Sequence, residues 1–356
     1  ATGALGFASP GASRLAPTAS TAAAGAAPAR AAARMGGHAL IVQNKGGGHG
    51  EIGFHLAKQL KAKGLEVTLV QDPAAKVGKL PFKLYDTELA DCNVAWCDPT
   101  DAEAVRAALE GGPALTHVFD NYAKDPSSCA AAIGAAKAAG DAFAMYAFIS
   151  SAGMYTSKGE LLEDGPVKEP PTGQREVELA ISESFPGKWC AFRPQYIYGP
   201  YTNKRDYLDW FLARTARGLP LAVPGDGSQK VSVTHCEDVA ALLASVVGQE
   251  AKAGGEVFNC GASADVTYAQ LCDAAAGAAG KPAAEVRALP AGTKTSFPFR
   301  PNAEGFYVNP AKAMGTLGWK PTHSVLDDLK PDGFYTRDFF SLGLDKGELD
   351  TSKDGL

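Results

Sequence analysis

Short apolar runs alternate with amphipathic segments along most of the chain. HALIVQN, from residue 38, predicts a buried strand, and LEVTLVQD predicts the next one. Between them GEIGFHLAKQLKAKG predicts a helix that places Ile52, Leu56 and Leu60 on one face and ends at Gly64. Strands that alternate with helices predict right-handed crossovers and a parallel sheet that is buried on both faces.

The alternation continues towards the middle of the chain. VAWCDPTDAEAVRAALEGG predicts a strand, a turn and a helix capped by Asp98 or Thr100. THVFDNYAKD and FAMYAFISSAGMY predict two more strands, separated by the Ala-rich helix SSCAAAIGAAKAAG. Further on, KWCAFRPQYIYGP predicts a strand and a turn, YLDWFLARTARG an amphipathic helix, and LAVPGDGSQKVSVTHCEDVAALLASVVG a hairpin followed by a helix.

These patterns predict an α/β protein. Residues 36–195 are expected to form a Rossmann-like, doubly wound parallel sheet. Residues 196–335 are expected to form a smaller C-terminal α/β lobe that is interleaved with this core, and residues 336–356 a tail.

Residues 1–35 have a different composition from the rest of the chain. They are rich in Ala, their only charges are Arg14, Arg30 and Arg34, and the first acidic residue of the chain is Glu51. Such a segment is typical of an organelle transit peptide, with a disordered Ala/Pro tail as the alternative. Both interpretations exclude it from the fold.

Composition narrows the class of protein. The net charge of −5 argues against a uniformly basic nucleic-acid coat, although it is compatible with a local basic face. The seven Cys are an odd number without a CxxC pair, which predicts free thiols in a reducing compartment rather than disulfides or a zinc ribbon. The sequence has no apolar run of 18 residues, so no membrane insertion is predicted.

The stretch GGGHGEIG lies between the first predicted strand and the first predicted helix. It fits GxGxxG through Gly48, Gly50 and Gly53, and GxxGxxG through Gly47, Gly50 and Gly53. Such glycines allow a tight turn, the approach of a diphosphate and close packing of helix on strand. Asp72 ends the second strand, where an acidic residue can bind a ribose hydroxyl. We therefore expect an NAD(P) site here, with helix packing alone as the alternative.

Several further stretches occur in an order that resembles a known superfamily. GGHGEIG, CDPTD, FISSAGMY, RPQYIYGP, PGDGSQKVSVTHCEDVA, VFNCG and LGWKP resemble the extended short-chain dehydrogenases/reductases, the NAD-dependent epimerases and dehydratases, over about residues 38–330. The resemblance implies catalysis by a Ser, a Tyr and a Lys four residues after that Tyr. Ser151 matches the Ser, with Ser150 beside it, but no Tyr of this chain has Lys at that spacing. Ser151 is therefore expected to be vestigial.

One branch of the superfamily shows the same loss. FDNYAKD, FISSAGMYTS, WCAFRPQYIYG and FPFRPNAEGFYVNPAKAMGTLGW resemble the chloroplast stem-loop-binding proteins, and the Gly-Gly-His loop is more similar to their a-type. The resemblance implies RNA binding and divalent-metal-dependent endoribonuclease activity on stem-loops. It also implies a stromal or nucleoid location, association with plastid ribosomes or transcription complexes, and oligomers with itself or a paralogue.

Side chains for RNA cleavage are expected at the strand ends. We expect Asp98 and Asp120 to hold Mg²⁺ with help from Asn121, because carboxylate oxygens are hard ligands and the ends of successive parallel strands converge. Alanine at Asp98 or Asp120 should then abolish cleavage but leave binding intact. The alternative is that these residues cap a helix and form a turn.

Side chains for RNA binding are expected on and around NKRDYLDWFLARTARG. The candidate phosphate contacts are basic, and they are Arg193, Lys204, Arg205, Arg214, Arg217 and Lys230. Tyr201 and Tyr207 are candidates for stacking on unpaired bases. A solvated charged face with core aromatics is the alternative. In THCEDVA, His235 and Asp238 match a superfamily helix start near the substrate cleft, and the alternative is that Asp238 or Thr234 simply caps this helix.

The leading hypothesis is therefore a chloroplast RNA-binding protein with endoribonuclease activity on a Rossmann scaffold. The second is an epimerase or dehydratase that acts on a nucleotide sugar, and the missing Tyr and Lys argue against it. The third is a catalytically silent scaffold that senses a bound dinucleotide. The same fold can host all three functions.

Overall fold

The strands and helices follow the predicted alternation. The structure is a computed structural model that describes residues 36–43, 50–75, 78–290 and 292–355. Within these residues the strands are β1 (His38–Gln43), β2 (Glu66–Gln71), β3 (Asn93–Trp96), β4 (Leu115–Asp120), β5 (Met145–Ile149), β6 (Gly159–Leu161), β7 (Trp189–Pro194), β8 (Ile197–Tyr198), β9 (Leu221–Pro224), β10 (Lys230–Val231), β11 (Thr234–His235), β12 (Glu256–Cys260), β13 (Val266–Thr267), β14 (Val286–Leu289) and β15 (Phe306–Val308). The helices are α1 (Gly50–Ala62), α2 (Tyr85–Glu88), α3 (Ala102–Leu109), α4 (Ala130–Ala138), α5 (Gly173–Ser184), α6 (Asp206–Arg217), α7 (Cys236–Ala244), α8 (Glu250–Ala253), α9 (Tyr268–Ala278), α10 (Ala311–Leu317), α11 (Val325–Asp328) and α12 (Phe334–Ser341).

Seven of the described strands form one parallel sheet in the order β12-β7-β5-β4-β1-β2-β3. The order reverses between β1 and β4. At such a switch point the loops diverge and leave a crevice outside the carboxyl ends of the strands. The predicted doubly wound, Rossmann-like sheet is confirmed.

Each face of the sheet is covered by helices because alternate residues of its strands point to opposite sides. In β1, Ala39 and Ile41 pack with α1 and α7, whereas Leu40 and Val42 pack with α3, α4 and α5. Helix α1 buries the predicted face of Ile52, Leu56 and Leu60. It ends before Gly64, whose φ of 84° lies in the left-handed region that glycine adopts easily.

A second core lies in the C-terminal lobe. It is built from apolar residues of α6, α9, α11 and α12 and of the strands between them, with an aromatic centre of Phe211, Tyr268, Phe297 and Phe299. Residues before and after the predicted boundary contribute to this part of the fold, since β6 pairs with β15 in the order β13-β10-β15-β6. Strands from both sides of the predicted boundary therefore share one small sheet, and residues 35–356 form one compact unit.

Three local predictions need correction. The helix α3 is capped by Asp101, which accepts from the N–H groups of Glu103 and Ala104, rather than by Asp98 or Thr100. The predicted hairpin does not form, because β9 pairs with β14 whereas β10 pairs with β13 and β15. The predicted tail contains most of α12 and ends with Asp354 buried against α6.

All seven Cys are free thiols, as predicted, and five of them are buried. No helix in the described part of the chain is both long enough and apolar enough to span a membrane.

Candidate functional site

A crevice opens where the sheet reverses its order. Its cavity of about 360 Å³ is lined by the loop after β4, the end of β5, the start of α5, the segment after β7 and the start of α6. The polar or aromatic residues of this lining are Asn121, Tyr122, Lys124, Ser150, Ser151, Gln174, Tyr196, Lys204 and Tyr207. A larger hollow of about 500 Å³ lies between α3 and α4, but it is lined mainly by alanines and aliphatic residues.

Asp72, Asp98 and Asp120 all lie at or shortly after the carboxyl ends of strands in the main sheet. Burial, followed by the negative charges of Asp72, Asp98, Asp125 and Asp120 in that order, raises the pKa of Tyr122 above its ordinary value.

Asp120 does not fit a magnesium site. Its carboxylate is 1% exposed and accepts from the Tyr146 hydroxyl at 2.7 Å and from the N–H groups of Tyr122 and Ala123, each at 2.9 Å. Both oxygens are therefore used within the protein. Burial raises the pKa of Asp120 in spite of these bonds. The arrangement is that of a buried turn residue, so the expected metal role of Asp120 is corrected.

Asp98 and Asn121 are also engaged locally. Asp98 Oδ1 accepts from the N–H and the hydroxyl of Thr100 at 2.9 and 2.8 Å. The Asn121 amide donates to Gln43 Oε1 at 2.8 Å. No group of three possible metal ligands in the described residues includes Asp98 or Asp120. Magnesium binding by these residues has no support in this geometry, and we assign no step to it.

The serines of the predicted catalytic pattern lie beside the first two turns of α5. Ser151 caps the short turn that follows β5, with its oxygen accepting from Gly153 N at 3.0 Å. Gln174 lines the same crevice, and Glu178, four residues later, accepts from the Ser150 hydroxyl at 2.7 Å. The two helix positions that face the serines are therefore held by an amide and a carboxylate.

Glu178 is the centre of a buried ion-pair network. Its side chain is fully buried and binds Arg193 through two bonds, Nε to Oε1 at 2.9 Å and Nη2 to Oε2 at 2.7 Å. Arg175 also donates to Oε2 at 2.7 Å. Burial opposes ionisation, but Arg193, Ser150 and Arg175 together hold the pKa of Glu178 below its ordinary value. A buried carboxylate that is paired with two arginines therefore lies beside Ser150.

The glycine stretch is described only in part. Gly47 and Gly48 lie outside the described residues, and Gly50 is the first residue of α1. A Cβ on Gly53 would lie 2.6 Å from the Gln43 side-chain amide, so a larger residue here would require that amide to shift. Asp72 follows β2, with Oδ1 accepting from Ala74 N at 2.7 Å. The roles of Gly53 and Asp72 in binding a dinucleotide stay predictions.

Comparison with known proteins agrees with this architecture. A profile described as the NAD dependent epimerase/dehydratase family matches residues 46–261. The chain is 30% identical over 326 residues to the chloroplast stem-loop binding protein of 41 kDa b from Arabidopsis thaliana, covering 87% of this chain and 82% of that protein. The chain belongs to the NAD-dependent epimerase/dehydratase family. The expected a-type assignment stays a prediction.

Solved structures of family members share the fold. A putative epimerase from Burkholderia cenocepacia superposes with a TM-score of 0.65 at 20% identity, covering 85% of this chain and 98% of that one. UDP-glucose 4-epimerase from Thermotoga maritima gives 0.63 at 19% identity, with 85% and 99% covered. The dTDP-glucose 4,6-dehydratase from Bacillus anthracis, in complex with NAD, gives 0.65 at 13% identity, with 86% and 97% covered.

Two of the arginines predicted to contact RNA in this chain need correction. Arg193 is 2% exposed and paired with Glu178, and Arg214 is 3% exposed and paired with Asp354. Guanidinium groups with so little exposed surface cannot reach a phosphate without unfolding part of the core.

The other four predicted contacts differ in availability. Arg205 pairs with Asp209 and Asp338, and Arg217 donates to the carbonyls of Leu344, Lys346 and Gly347. Lys204 borders the crevice, with Nζ 5.1 Å from the centre of the Tyr207 ring, and Lys230 lies over Tyr307. Their role in RNA binding stays a prediction.

A histidine cluster at the start of α7 extends beyond what the sequence pattern predicted. His235 caps the helix, accepting from Glu237 N at 3.2 Å, and its ring stacks on His323 at 3.7 Å with planes 9° apart. His323 contacts Asp238 Oδ1 at 3.0 Å through Nδ1 and Glu237 Oε2 at 3.3 Å through Nε2. Ligand atoms of His235, Glu237 and His323 lie within 4.8 Å of one another.

In this geometry the cluster is suited to bind a proton rather than a metal ion. Two stacked imidazoles cannot both direct an in-plane lone pair at one ion about 2 Å away. Hydrogen bonds to Asp238 and Glu237 raise the pKa of His323 to about 10. Burial, and then the charge of His323, lowers the pKa of His235 to about 3. A charged ring therefore stacks on a neutral one.

Replacing His323 by alanine should destabilise the protein in a pH-dependent way. The folded-state pKa lies above the ordinary value of 6.5, so the stabilisation is complete below pH 6.5 and disappears as the pH rises towards 10. We expect a loss of about 1–3 kcal/mol in the free energy of unfolding near pH 6, and a much smaller loss near pH 10. Urea unfolding of both proteins at the two pH values measures this difference.

His38→Ala is the matched control for this experiment. The His38 ring contacts the Pro113 carbonyl and the Thr68 hydroxyl rather than a carboxylate. Its cost should therefore differ little between the two pH values. An equal cost of His323→Ala at both pH values would contradict the charged stack.

Proposed function

We propose that this chain is a chloroplast RNA-binding protein that recognises stem-loops, built on an epimerase/dehydratase scaffold that has lost its acid/base pair. The similarity to the Arabidopsis thaliana stem-loop binding protein over 87% of the chain is the observation that carries RNA binding and the chloroplast location. The crevice supports it. Gln174 and Glu178 occupy the first two turns of α5 beside Ser150, and Arg193 neutralises Glu178, so these two described helix positions carry no tyrosine and lysine pair that could move a proton.

Cleavage of the bound RNA is a finer part of the proposal. Asp98 follows β3 and stays the candidate carboxylate for cleavage, although its Oδ1 accepts two hydrogen bonds from Thr100. Association with plastid ribosomes or transcription complexes, and oligomers with a paralogue, stay predictions from the resemblance.

A dinucleotide-binding function is the second candidate. The family match supports it, as do the positions of Gly53 and Asp72, and bound NAD is present in related structures. If NAD(P) binds, it would supply a redox group near Ser150 and Ser151. The proposal then becomes a scaffold whose RNA binding is sensitive to a dinucleotide.

The first experiment measures binding of a fluorescent stem-loop RNA to the full chain by anisotropy, with Mg²⁺ or with EDTA. Because phosphate contacts release counterions, we expect the affinity to fall steeply between about 50 and 200 mM salt. A gel of the same samples shows whether the RNA is cleaved. Repeating the anisotropy measurement with NADP shows whether the dinucleotide changes the affinity for RNA. Absence of binding at low salt would contradict the proposed function, whereas binding without cleavage would remove only its nuclease part.

A further inference from the structure

The polar groups that line the crevice fall into two sets. Ser150 and Asn121 are used internally, by Glu178 and Gln43. In contrast, the side-chain amide of Gln174 and the ammonium groups of Lys124 and Lys204 form no hydrogen bond or salt bridge with any residue in the described ranges. Two cations and one amide therefore face the cavity with their donors available.

Aromatic rings form the rest of the wall. Tyr122 and Tyr207 line the cavity together with Tyr196. Tyr196 has a φ of 40°, a left-handed conformation that is unfavourable for a tyrosine, and its hydroxyl accepts from Arg300 N at 2.9 Å. Its ring meets Tyr207 edge to face at 5.1 Å. The strained residue thus fixes the position of Tyr207 at the crevice.

These groups define the chemistry of the ligand. Ammonium groups select an anion such as a phosphate, tyrosine rings select a flat apolar surface, and a glutamine amide offers one donor and one acceptor to the edge of a base. A cavity of about 360 Å³ has room for one nucleotide but not for a base-paired helix. Bases that can be splayed out in this way occur in loops and bulges rather than in stems.

We propose that the crevice receives one unpaired nucleotide from the loop of a stem-loop RNA. Its phosphate lies at Lys124 and Lys204, its base lies against Tyr122 and Tyr207, and Gln174 hydrogen-bonds the base edge. This inference rests on the proposed function and names the part of the RNA that the site recognises. A dinucleotide cofactor or a nucleotide sugar carries the same chemistry, so the experiment separates these sources.

The test compares a labelled RNA hairpin with its stem alone, closed as a blunt duplex. Gln174→Ala and Lys204→Ala should each weaken binding of the hairpin by at least about fivefold and leave duplex binding unchanged. The control is Lys252→Ala. Lys252 is an exposed lysine of α8. This helix adjoins the start of β7, so it lies at the amino ends of the strands, away from the crevice at their carboxyl ends. It should not change either affinity.

Each result separates the inference from the proposed function. If the wild type binds the hairpin and both crevice variants bind it equally well, the inference is overturned and RNA binding survives. If the wild type binds no RNA, both fail. If NADP or UDP-glucose binds the wild type and is lost in Gln174→Ala, while hairpin binding is retained, the crevice serves a small nucleotide and the inference is overturned.

Discussion

Arg193→Ala should lower the free energy of unfolding by about 3–5 kcal/mol. The substitution leaves Glu178 fully buried and without its bidentate partner, and desolvation of an uncompensated carboxylate is costly. Since domains of this kind are stable by only about 5–15 kcal/mol, the variant should be close to unfolding. Denaturant titration followed by circular dichroism measures the change.

Arg175→Ala is the matched control, because it removes another arginine from the same carboxylate. Arg175 contacts Glu178 with a side chain that is 29% exposed, against 3% for Arg193, so its loss should cost about 1 kcal/mol or less. In the double variant Arg193→Ala with Glu178→Gln, no buried charge remains, and part of the stability should return. If both substitutions lowered the free energy of unfolding equally, Arg193 would not be the main partner that stabilises the Glu178 carboxylate.

Asp354→Ala should produce a comparable loss, about 3–5 kcal/mol, although it changes a residue almost at the end of the chain. Asp354 is 1% exposed and accepts from Arg214 Nη2 at 2.6 Å and Nε at 2.9 Å. Without it, the buried guanidinium of Arg214 has no carboxylate beside it, and α6 loses its attachment to the C-terminal segment. The same denaturant titration measures the effect.

Asp350→Ala is the control that tests whether the loss of stability comes from the buried position of Asp354 or merely from removing a negative charge in this segment. Asp350 lies in the same segment, is exposed, and accepts only from Ser352 N in the described contacts, at 2.9 Å. Its replacement should change the free energy of unfolding by less than about 0.5 kcal/mol. If Asp354→Ala were equally harmless, the buried pair of Asp354 with Arg214 would not stabilise the protein, and this account of the C-terminal segment would be wrong.

The fold was predictable because its main signal is local. Alternating apolar runs and amphipathic helices show the order of strands, and Ile52, Leu56 and Leu60 were correctly placed on the buried face of α1. Gly53 was predicted for close helix packing, and the Gln43 side chain beneath it shows why. The cap of α3 was missed by a few residues because Asp98, Thr100 and Asp101 all suit such a position.

The site was less predictable because its decisive contacts join distant segments. Arg193 and Arg214 look like surface charges in the sequence, and only the partners that fold back onto them, Glu178 and Asp354, make them interior residues. The hairpin failed for a similar reason, since β10 finds partners far along the chain in β13 and β15. His323 acquires its role from Asp238, 85 residues away. No local pattern contains these pairings.

The central claim is that the carboxyl edge of the sheet carries the RNA, and photocrosslinking tests it most directly. A stem-loop with 4-thiouridine in its loop is irradiated in complex with the full chain, and the crosslinked peptides are identified by mass spectrometry. We predict crosslinks to the segments that contain Tyr122 or Tyr207, which line the crevice. Crosslinks confined to α8 and the opposite edge of the sheet, or none from a complex that demonstrably forms, would contradict this account.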